Sequence, residues 1–418
     1  MNSISVKKSK LQGSVKLSGA KNCALKLLTA SILTSEKVEL FDSPNGLSDM
    51  QVHIKMLEKM GKTCTEREGY LLIEEDKTIT TELLWDDRSI RNSLLMLGAL
   101  TTRFGSAKVP LPGGCKLGDR KYDIHVYVFE TLGAEVFEEG DYLCAKIKGE
   151  SLVGSDIYLP MRSTGATENA ILAATLAKGT TTIWNPHVRP EIIDLISMLN
   201  KMGANIKVYG QQCITIKGVD YLKGVTHTVI PDNMEALTWT IGSVITNGDV
   251  EIINFPFEHL EVPLVFLRES GMKFYRGDNS LIVRGGTPYP IEISTGPYPG
   301  INSDMQPLFA VYGANAKGTS KIIDLRFPGR YAYANELAKM GVKFSIEGDM
   351  LVINGNDQKL VGAHVTATDL RAGISLLLAG LTAQGETIID NAWQIERGYE
   401  NINFKLKELG VQLNESTD

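Results

Sequence analysis

The 418-residue chain lacks the long apolar runs that a membrane span needs. A bilayer requires about 20 consecutive apolar residues, and one of the longest apolar stretches here is the ten-residue segment 374–383. The first residues, Met-Asn-Ser-Ile-Ser-Val-Lys-Lys, contain no apolar signal core. The five cysteines are an odd number without a CxxC pair, which favours a reducing compartment over a disulfide framework. We therefore expect a cytoplasmic protein that does not associate with membranes.

An excess of basic charge is also absent. The net charge is −6, which argues against a nucleic-acid-binding surface and requires any anion site to be local. The sequence contains no HExxH, Walker A or GxGxxG motif, so metal-dependent hydrolysis, ATP hydrolysis and dinucleotide chemistry have no support. We expect no metal or organic cofactor.

The chain does contain an internal repeat. The helix-ending phrase Leu-x-x-Met/Leu-Gly recurs at intervals of 68 to 72 residues. Its glycines are Gly61, Gly133, Gly203, Gly271, Gly341 and Gly410. Each interval contains an Ala/Leu-rich helix, a short β-branched strand, a polar loop, an amphipathic helix and a hairpin. The pattern predicts six β-α-β-α-β-β units, with each repeat glycine ending a helix in the left-handed conformation.

A unit of about 70 residues with two helices is too long for most solenoid repeats, which have 20–50 residues. Two compact domains of three units each fit the length better. We place the boundary near residue 230, between the hairpin before Gly224 and the apolar run after Asp232.

Arginines recur in the polar loop of four units. Arg120, Arg189, Arg330 and Arg397 lie 13, 14, 11 and 13 positions before their repeat glycines. Guanidinium groups bind carboxylates and phosphates in a bidentate manner, so the set indicates a small ligand carrying both. The alternative is that each arginine is solvated or pairs with a nearby acid.

Four further side chains are candidates for chemistry. Cys115 lies in a glycine-rich loop beside basic residues that stabilise a thiolate; the alternative is an ordinary exposed thiol. Asp304, Asp369 and Asp49 each precede or begin a predicted helix. Helix capping is the competing interpretation for these aspartates.

The chain contains a series of specific motifs. They are Leu17-Ser-Gly-Ala-Lys-Asn22, Arg91 in Ile-Arg-Asn-Ser-Leu, Leu111-Pro-Gly-Gly-Cys115, Arg120-Lys-Tyr-Asp-Ile-His125, Gly165-Ala-Thr-Glu-Asn169, Ser303-Asp-Met-Gln306, Thr368-Asp-Leu-Arg371 and Glu396-Arg-Gly-Tyr-Glu400. With these motifs the chain resembles the enolpyruvyl transferases, from Leu11 to about Gly410, and is most similar to the members that act on UDP-N-acetylglucosamine.

The resemblance implies an α/β fold, a two-domain inside-out α/β barrel with three βαβαββ repeats per domain about pseudo-threefold axes. It places residues 22–229 in the first domain and residues 1–21 plus 230–418 in the second. A monomer is compatible with the sequence.

The resemblance also implies the reaction. The enolpyruvyl group of phosphoenolpyruvate would pass to the 3-hydroxyl of UDP-N-acetylglucosamine, with release of phosphate, as in peptidoglycan precursor synthesis. Asp304 would take the proton from the sugar hydroxyl, and Cys115 would protonate phosphoenolpyruvate or assist product release. The residues matching the phosphoenolpyruvate ligands and catalytic cations are Lys21, Arg120, Arg330 and Arg397.

A second set matches the site of the UDP-sugar. Asn22 would hold the amino sugar, with Asp304 and Phe327 beside it. The remaining matches are Arg91, Arg120, Lys121, Tyr122, Asp123, Ile124, His125, Ser163, Thr164 and Gly165. Asp369, Arg371 and Asp49 would support the site.

The chain departs from the family pattern on the acceptor side. Thr164 and Asn233 replace a common valine and a common arginine. The segment 328–333, which ends at Tyr333, replaces the usual Glu-Asn-Arg-Phe-x-His, and Val188-Arg189-Pro190-Glu191 replaces the usual Arg-Glu-Pro-Glu. Two alternatives follow from these departures: an enolpyruvyl transferase for another nucleotide or sugar hydroxyl, and a non-catalytic UDP-sugar-binding paralogue.

Overall fold

The computed structural model describes residues 2–112, 122–355 and 359–416. The α-helices of these residues are α1 (Lys21–Ala30), α2 (Ser48–Met60), α3 (Ser93–Phe104), α4 (Asp123–Thr131), α5 (Thr164–Thr175), α6 (Pro190–Lys201), α7 (Asn233–Ile245), α8 (Glu261–Glu269), α9 (Gln306–Ala314), α10 (Ala332–Lys339), α11 (Leu370–Thr382), α12 (Trp393–Glu396) and α13 (Ile402–Glu408).

The strands are β1 (Ser3–Lys7), β2 (Gln12–Lys16), β3 (Val38–Phe41), β4 (Thr63–Arg67), β5 (Tyr70–Glu74), β6 (Ser106–Pro110), β7 (Ala134–Glu139), β8 (Tyr142–Ile147), β9 (Asp156–Tyr158), β10 (Thr180–Trp184), β11 (Asn205–Tyr209), β12 (Cys213–Lys217), β13 (Val225–Thr228), β14 (Asp249–Ile253), β15 (Lys273–Arg276), β16 (Ser280–Arg284), β17 (Glu292–Ser294), β18 (Thr319–Ile323), β19 (Lys343–Glu347), β20 (Met350–Asn354), β21 (His364–Thr366), β22 (Glu386–Asp390) and β23 (Leu413–Ser416).

The chain divides into two compact units. One, the C-terminal unit, comprises Met1–Ser18 and Pro231–Asp418, and the other, the N-terminal unit, comprises Gly19–Ile230. Each unit has its own cluster of buried apolar side chains. The observed architecture is the two-unit α/β fold that the sequence predicts.

The sheets of the described residues share one topology. In the sheet β9, β10, β11 and β12, the first strand runs parallel to the second, and an antiparallel hairpin completes the order β11-β12-β10-β9. Four other sheets repeat this order. In the sixth, β6-β8-β7, the first strand is reduced to one parallel bridge between Glu82 and Lys108. Six βαβαββ repeats are therefore present, as predicted.

Each unit closes its ring of repeats with a strand from a distant part of the chain. In the N-terminal unit, β13 pairs in parallel with β3, so the last strand completes the first repeat. In the C-terminal unit, β1 pairs with both β22 and β23, and β2 pairs in parallel with β14. The first two strands thus belong to sheets otherwise built from residues after 230.

The repeat glycines have the backbone conformation that their position predicts. All six have φ between 82° and 113°, a region that glycine adopts without the steric cost of a Cβ atom. Gly61, for example, caps α2 and donates its N–H to the carbonyl of Glu58. These glycines end the second helix of each repeat and turn the chain into the hairpin.

The first helix of each repeat is buried almost all round. In α9 every residue is buried, and in α11 twelve of the thirteen are. A helix that is apolar on all faces belongs in the interior of a domain. Polar groups on these helices therefore need hydrogen-bond partners. In the described residues no helix is long and apolar enough to cross a bilayer.

Candidate active site

Asp304 and Arg330 form the centre of a charged cluster in the C-terminal unit. Arg330 Nη1 donates to Asp304 Oδ1 at 3.0 Å, and to Ser303 Oγ and O at 3.0 and 3.1 Å. Arg330 Nη2 lies 3.6 Å from Asp369 Oδ2, and Arg371 Nε lies 3.7 Å from Asp304 Oδ2. Sequence reasoning selected all four charged residues, and the structure brings them together.

The Asp304 side chain is about one-third exposed and accessible from solvent. It is 34% exposed, whereas the Arg330 side chain is 10% exposed. Burial lowers the pKa of Arg330, but Asp304 and Asp369 outweigh burial and hold that pKa above its ordinary value. The carboxylate is therefore accessible while the cations that orient it are held in the protein. Asp304 lies two residues before α9, whose N-cap is Met305.

Asp369 combines a capping role with a site role. Its Oδ1 accepts the backbone N–H groups of Arg371 and Ala372 at 2.7 and 2.9 Å, which caps α11. Its Oδ2 faces Arg330. The capping interpretation is therefore confirmed, while the supporting role of Asp369 at the site stays a prediction.

Arg371 is a fully buried cation, 1% exposed. Its guanidinium lies 5.4 Å from the ring centroid of Tyr399. Burial opposes its charge, but Tyr399, Asp304 and Asp232 hold the pKa of Arg371 above its ordinary value. Its Nε and Nη1 atoms have no hydrogen-bond partner among the described residues. Arg371 therefore provides a buried positive charge next to the partly exposed carboxylate of Asp304.

Arg397 and Phe327 lie in loops of the same unit. Arg397 is buried and donates from Nη1 to Gln394 Oε1 at 2.8 Å. The ring of Phe327 lies beneath Arg330, with 6.0 Å between the guanidinium carbon and the ring centroid. A hydrogen bond from the Phe327 N–H to Asp324 Oδ1, at 2.9 Å, holds this loop.

Asp324 joins the loop of Asp304 to the loop of Arg330. It is fully buried after β18 and accepts hydrogen bonds from Ser303, Thr295 and Gln306. Asp324 lies in none of the sequence motifs and was not predicted as a site residue. The sequence does contain one indication of this role. Asp324 directly follows a β-branched strand, and an acidic residue that is buried there needs several hydrogen-bond donors.

The N-terminal unit carries a second charged cluster at the start of α1. Lys21, its first residue, is buried and places Nζ 3.3 Å from Asp49 Oδ2. Arg88 donates to the other oxygen of Asp49 at 2.8 Å. Asp49 therefore holds Lys21 in place, and its supporting role at the site stays a prediction. Arg88 is a cation that the sequence analysis missed.

The predicted acceptor residues lie at the starts of α1, α3, α4 and α5. Asn22 is the second residue of α1, and Arg91 lies two residues before α3. Ser163 caps α5 by accepting the N–H of Ala166. Thr164 Oγ1 contacts His187 Nδ1 at 2.9 Å.

His125 faces the interior of the unit. It is buried, its Nδ1 lies 3.0 Å from Asn169 Nδ2, and burial lowers its pKa to about 3. A Cβ atom on Gly165 would lie 3.1 Å from this imidazole ring. His125 and Gly165 thus set the approach of α4 to α5. Tyr122 and Asp123 line a surface groove of about 470 Å³ along α4, while Ile124 is half-buried.

Two departures from the family pattern have structural explanations. Tyr333 is buried and donates to Gln306, which in turn donates to the Arg330 carbonyl and to Asp324. Arg189 forms a bidentate pair with Glu191 at 2.6 and 2.7 Å. Tyr333 therefore supports the Arg330 loop, and Arg189 is neutralised locally, as the alternative for the loop arginines expects. Asn233 is buried as the first residue of α7.

Cys115, Arg120 and Lys121 lie outside the described residues, and their roles stay predictions. The cysteines that are described lie in regular elements and are not disulfide-bonded: Cys23, Cys64, Cys144 and Cys213. Burial raises the pKa of Cys64 to about 12 and also raises that of Cys144. In the described part of the chain, no group of three or more His, Cys, Asp and Glu side chains could hold a metal ion.

Six βαβαββ repeats in two units are the architecture that the resemblance to the enolpyruvyl transferases implies. A family model described as EPSP synthase (3-phosphoshikimate 1-carboxyvinyltransferase) matches residues 6–406. The chain belongs to this family.

Curated relatives match over nearly the whole chain. A protein of Caldanaerobacter subterraneus subsp. tengcongensis named UDP-N-acetylglucosamine 1-carboxyvinyltransferase 1 is 42% identical over 407 residues, 96% of both chains. A Finegoldia magna protein named UDP-N-acetylglucosamine 1-carboxyvinyltransferase is 40% identical over 419 residues, 99% of this chain and 98% of the relative.

Solved structures show the same fold. The crystal structure of the enolpyruvyl transferase NikO from Streptomyces tendae has a TM-score of 0.88 at 23% identity, covering 99% of this chain and 98% of that one. EPSP synthase from Acinetobacter baumannii has a TM-score of 0.74 at 16% identity, covering 99% and 100%.

Proposed function

We propose that the chain transfers the enolpyruvyl group of phosphoenolpyruvate to the 3-hydroxyl of UDP-N-acetylglucosamine. The observation that carries this proposal is full-length identity of 40–42% with proteins named UDP-N-acetylglucosamine 1-carboxyvinyltransferase. The cluster of Asp304, Arg330, Asp369 and Arg371 supports it, because the family reaction needs a base and several cations. The product is a nucleotide precursor of peptidoglycan.

The reaction is an addition followed by an elimination. The sugar oxygen attacks C2 of phosphoenolpyruvate while C3 gains a proton, which gives a tetrahedral ketal phosphate. Loss of a proton from C3 and of inorganic phosphate from C2 then restores the double bond as an enol ether. Negative charge shifts onto the leaving phosphate, so cations that are already in place lower the barrier.

Asp304 is the proposed base for the sugar hydroxyl. Its carboxylate is partly exposed, and Arg330 and Arg371 fix its orientation. A held carboxylate within hydrogen-bond reach of a hydroxyl can take its proton as the new C–O bond forms.

Lys21, Arg120, Arg330 and Arg397 are the proposed ligands of phosphoenolpyruvate. This substrate carries a phosphate and a carboxylate, and guanidinium groups pair with both. Burial of Lys21 and Arg397 supports the assignment, since a cation held in the protein needs little reordering to bind an anion. Cys115 is the proposed proton donor to C3, or the group that assists product release.

The acceptor assignment is supported by the positions of the departures from the family pattern. Tyr333 donates to Gln306 and Arg189 pairs with Glu191, so both side chains have partners within their own units. Thr164 is the departure that lies at the predicted acceptor residues, beside His187. If the enzyme acted on another nucleotide, Thr164 would have to distinguish that nucleotide from UDP-N-acetylglucosamine.

The experiment is an acceptor screen for phosphate release. Phosphoenolpyruvate is mixed with the protein and UDP-N-acetylglucosamine, UMP or UDP-glucose, and inorganic phosphate is followed. The proposal expects release with UDP-N-acetylglucosamine only. If phosphate is released only with another acceptor, the assignment of UDP-N-acetylglucosamine as the acceptor is wrong. Tight binding of the UDP-sugar without phosphate release with any acceptor would support a non-catalytic paralogue. A cytoplasmic location and a monomeric state stay predictions.

A further inference from the structure

Lys26 is a charged residue on the buried helix α1, and the site described above does not use it. It lies one helical turn after Asn22, so the two side chains share a face of the helix. Its side chain is 16% exposed. Long lysine side chains of this kind bury the stem and carry the charge toward the solvent-facing end. Because the Cα–Cβ bonds of a helix tilt toward its N-terminus, this side chain projects toward the start of α1.

Two polar residues from other helices hold the Lys26 ammonium. Nζ lies 3.4 Å from Asn92 Oδ1, at the cap of α3, and 3.7 Å from Glu168 Oε2, on α5. Asn92 is itself fixed, because its Nδ2 donates to the carbonyl of Leu25 at 2.9 Å and to Thr29 Oγ1 at 2.8 Å. The ammonium is therefore positioned between the three central helices of the N-terminal unit.

Glu168 is an incomplete counterion for Lys26. It is 2% exposed, and its Oε1 has no hydrogen-bond partner among the described residues. Burial raises the pKa of Glu168 to about 7; Lys26 and Arg189 oppose this rise and Glu191 adds to it. At neutral pH a substantial fraction of Glu168 is therefore uncharged.

The other groups around Lys26 do not supply the missing negative charge. His53 and His125 are neutral, because burial lowers the pKa of each to about 3 and Lys26 adds to the effect. Arg91 also acts on His125 as a positive charge. Glu191 is ionised but is paired with Arg189 through two hydrogen bonds. Positive charge thus remains in excess at Lys26.

We propose that Lys26, held by Asn92 and Glu168, is a further binding residue for the diphosphate of the sugar nucleotide. This inference rests on the proposed function. The surrounding residues favour the nucleotide as the anion, since Asn22 lies one turn before Lys26, and Thr164 and Gly165 lie one turn before Glu168. All three are acceptor residues predicted from the sequence.

The first test measures the affinity for UDP-N-acetylglucosamine by calorimetry at pH 6.5. Lys26→Met should raise Kd about tenfold, the value of one charge-assisted hydrogen bond. Lys26→Arg should bind nearly as tightly as the parent protein. Lys55→Met is the matched control, because it removes an exposed lysine of α2, and its Kd should not change. An unchanged Kd in folded Lys26→Met would overturn the proposal.

The second test varies pH between 6 and 8, where the diphosphate keeps one charge state. Below pH 7 Glu168 is neutral and leaves the Lys26 charge available; above pH 7 it ionises and neutralises that charge. The affinity of the parent protein should therefore fall as pH rises. Glu168→Gln should remove this dependence and bind about fivefold more tightly than the parent protein at pH 8. A gain in affinity cannot come from misfolding.

The outcomes separate this inference from the proposed function. If the parent protein neither binds UDP-N-acetylglucosamine nor releases phosphate with it, the proposed function fails. If the parent protein does both, but Lys26→Met binds like Lys55→Met or Glu168→Gln keeps the parental pH dependence, the role of Lys26 is wrong and the proposed function stands.

Discussion

Replacement of Asp304 by asparagine tests the proposed base directly. The amide keeps the size of the side chain and its Oδ1 can still accept the Arg330 hydrogen bond, which is 3.0 Å long. What is lost is the negative charge that faces Arg330 and Arg371 and, with it, the ability to take a proton. General-base catalysis contributes roughly 10²- to 10⁴-fold, so kcat should fall by at least about 100-fold.

The same substitution should have a modest effect on stability. Asp304 is 34% exposed and its closest approach to Arg371 is 3.7 Å, longer than a hydrogen bond. Arg371 keeps the Tyr399 ring as a neighbour. We expect the free energy of unfolding to fall by about 1 kcal/mol, in the range for one hydrogen bond to a charged group that is partly solvated.

The assay is phosphate release under saturating substrates, with thermal unfolding in parallel. Asp249→Asn is the matched control, because Asp249 is an exposed aspartate of the same unit that pairs with Arg284. That variant should keep the parental kcat. A near-normal kcat in Asp304→Asn would refute the assignment and leave Asp304 as an orienting residue for Arg330.

Three further predictions follow from the same geometry. Fosfomycin, a phosphonate epoxide, should alkylate Cys115, because the basic residues beside it in the sequence favour its thiolate, whereas burial raises the pKa of Cys64 to about 12. Peptide mass spectrometry that located the label elsewhere would contradict this. In the folded state His53 and His125 have a pKa of about 3, whereas an unfolded histidine has a pKa of about 6.5. As pH falls from 6.5 toward 3, the unfolded state therefore gains protons that the folded state does not bind. The free energy of unfolding should fall over this range, by roughly 4–5 kcal/mol per histidine at most. The free energy of unfolding of His125→Gln should therefore fall less steeply with decreasing pH than that of the parent protein. Equal slopes for the two proteins would argue against the lowered pKa of His125. Asp369→Ala should lose the cap of α11, about 1 kcal/mol in urea unfolding, and should also lower kcat; a stability loss with parental kcat would restrict Asp369 to capping.

The repeat architecture could be predicted because it depends on local rules. The helix-ending glycines impose a positive φ, and the short β-branched runs alternate with apolar helices. Those signals recur in six repeats, so a wrong secondary-structure prediction in one repeat can be recognised by comparison with the other repeats. The strand that closes each ring was not visible in this way: β13 and β1 pair with strands far away in the sequence, and no local pattern encodes those partners.

The charged site was only partly predictable. The sequence motifs and the repeat spacing predicted four charged residues that lie together in the structure: Asp304, Arg330, Asp369 and Arg371. Lys26 and Asp324 lie in apolar surroundings, where a polar residue usually contributes to packing or capping. Lys26 contacts Glu168 and Asp324 contacts Ser303, and both partners lie on other elements. Only the three-dimensional structure shows these contacts.

The most direct measurement of the central claim is mass spectrometry of the nucleotide product, run beside an analogue of UDP-N-acetylglucosamine that lacks the 3-hydroxyl. The account predicts a product heavier by one enolpyruvyl group, one phosphate released per product, and neither with the analogue. An unmodified nucleotide, or equal transfer to the analogue, would contradict it.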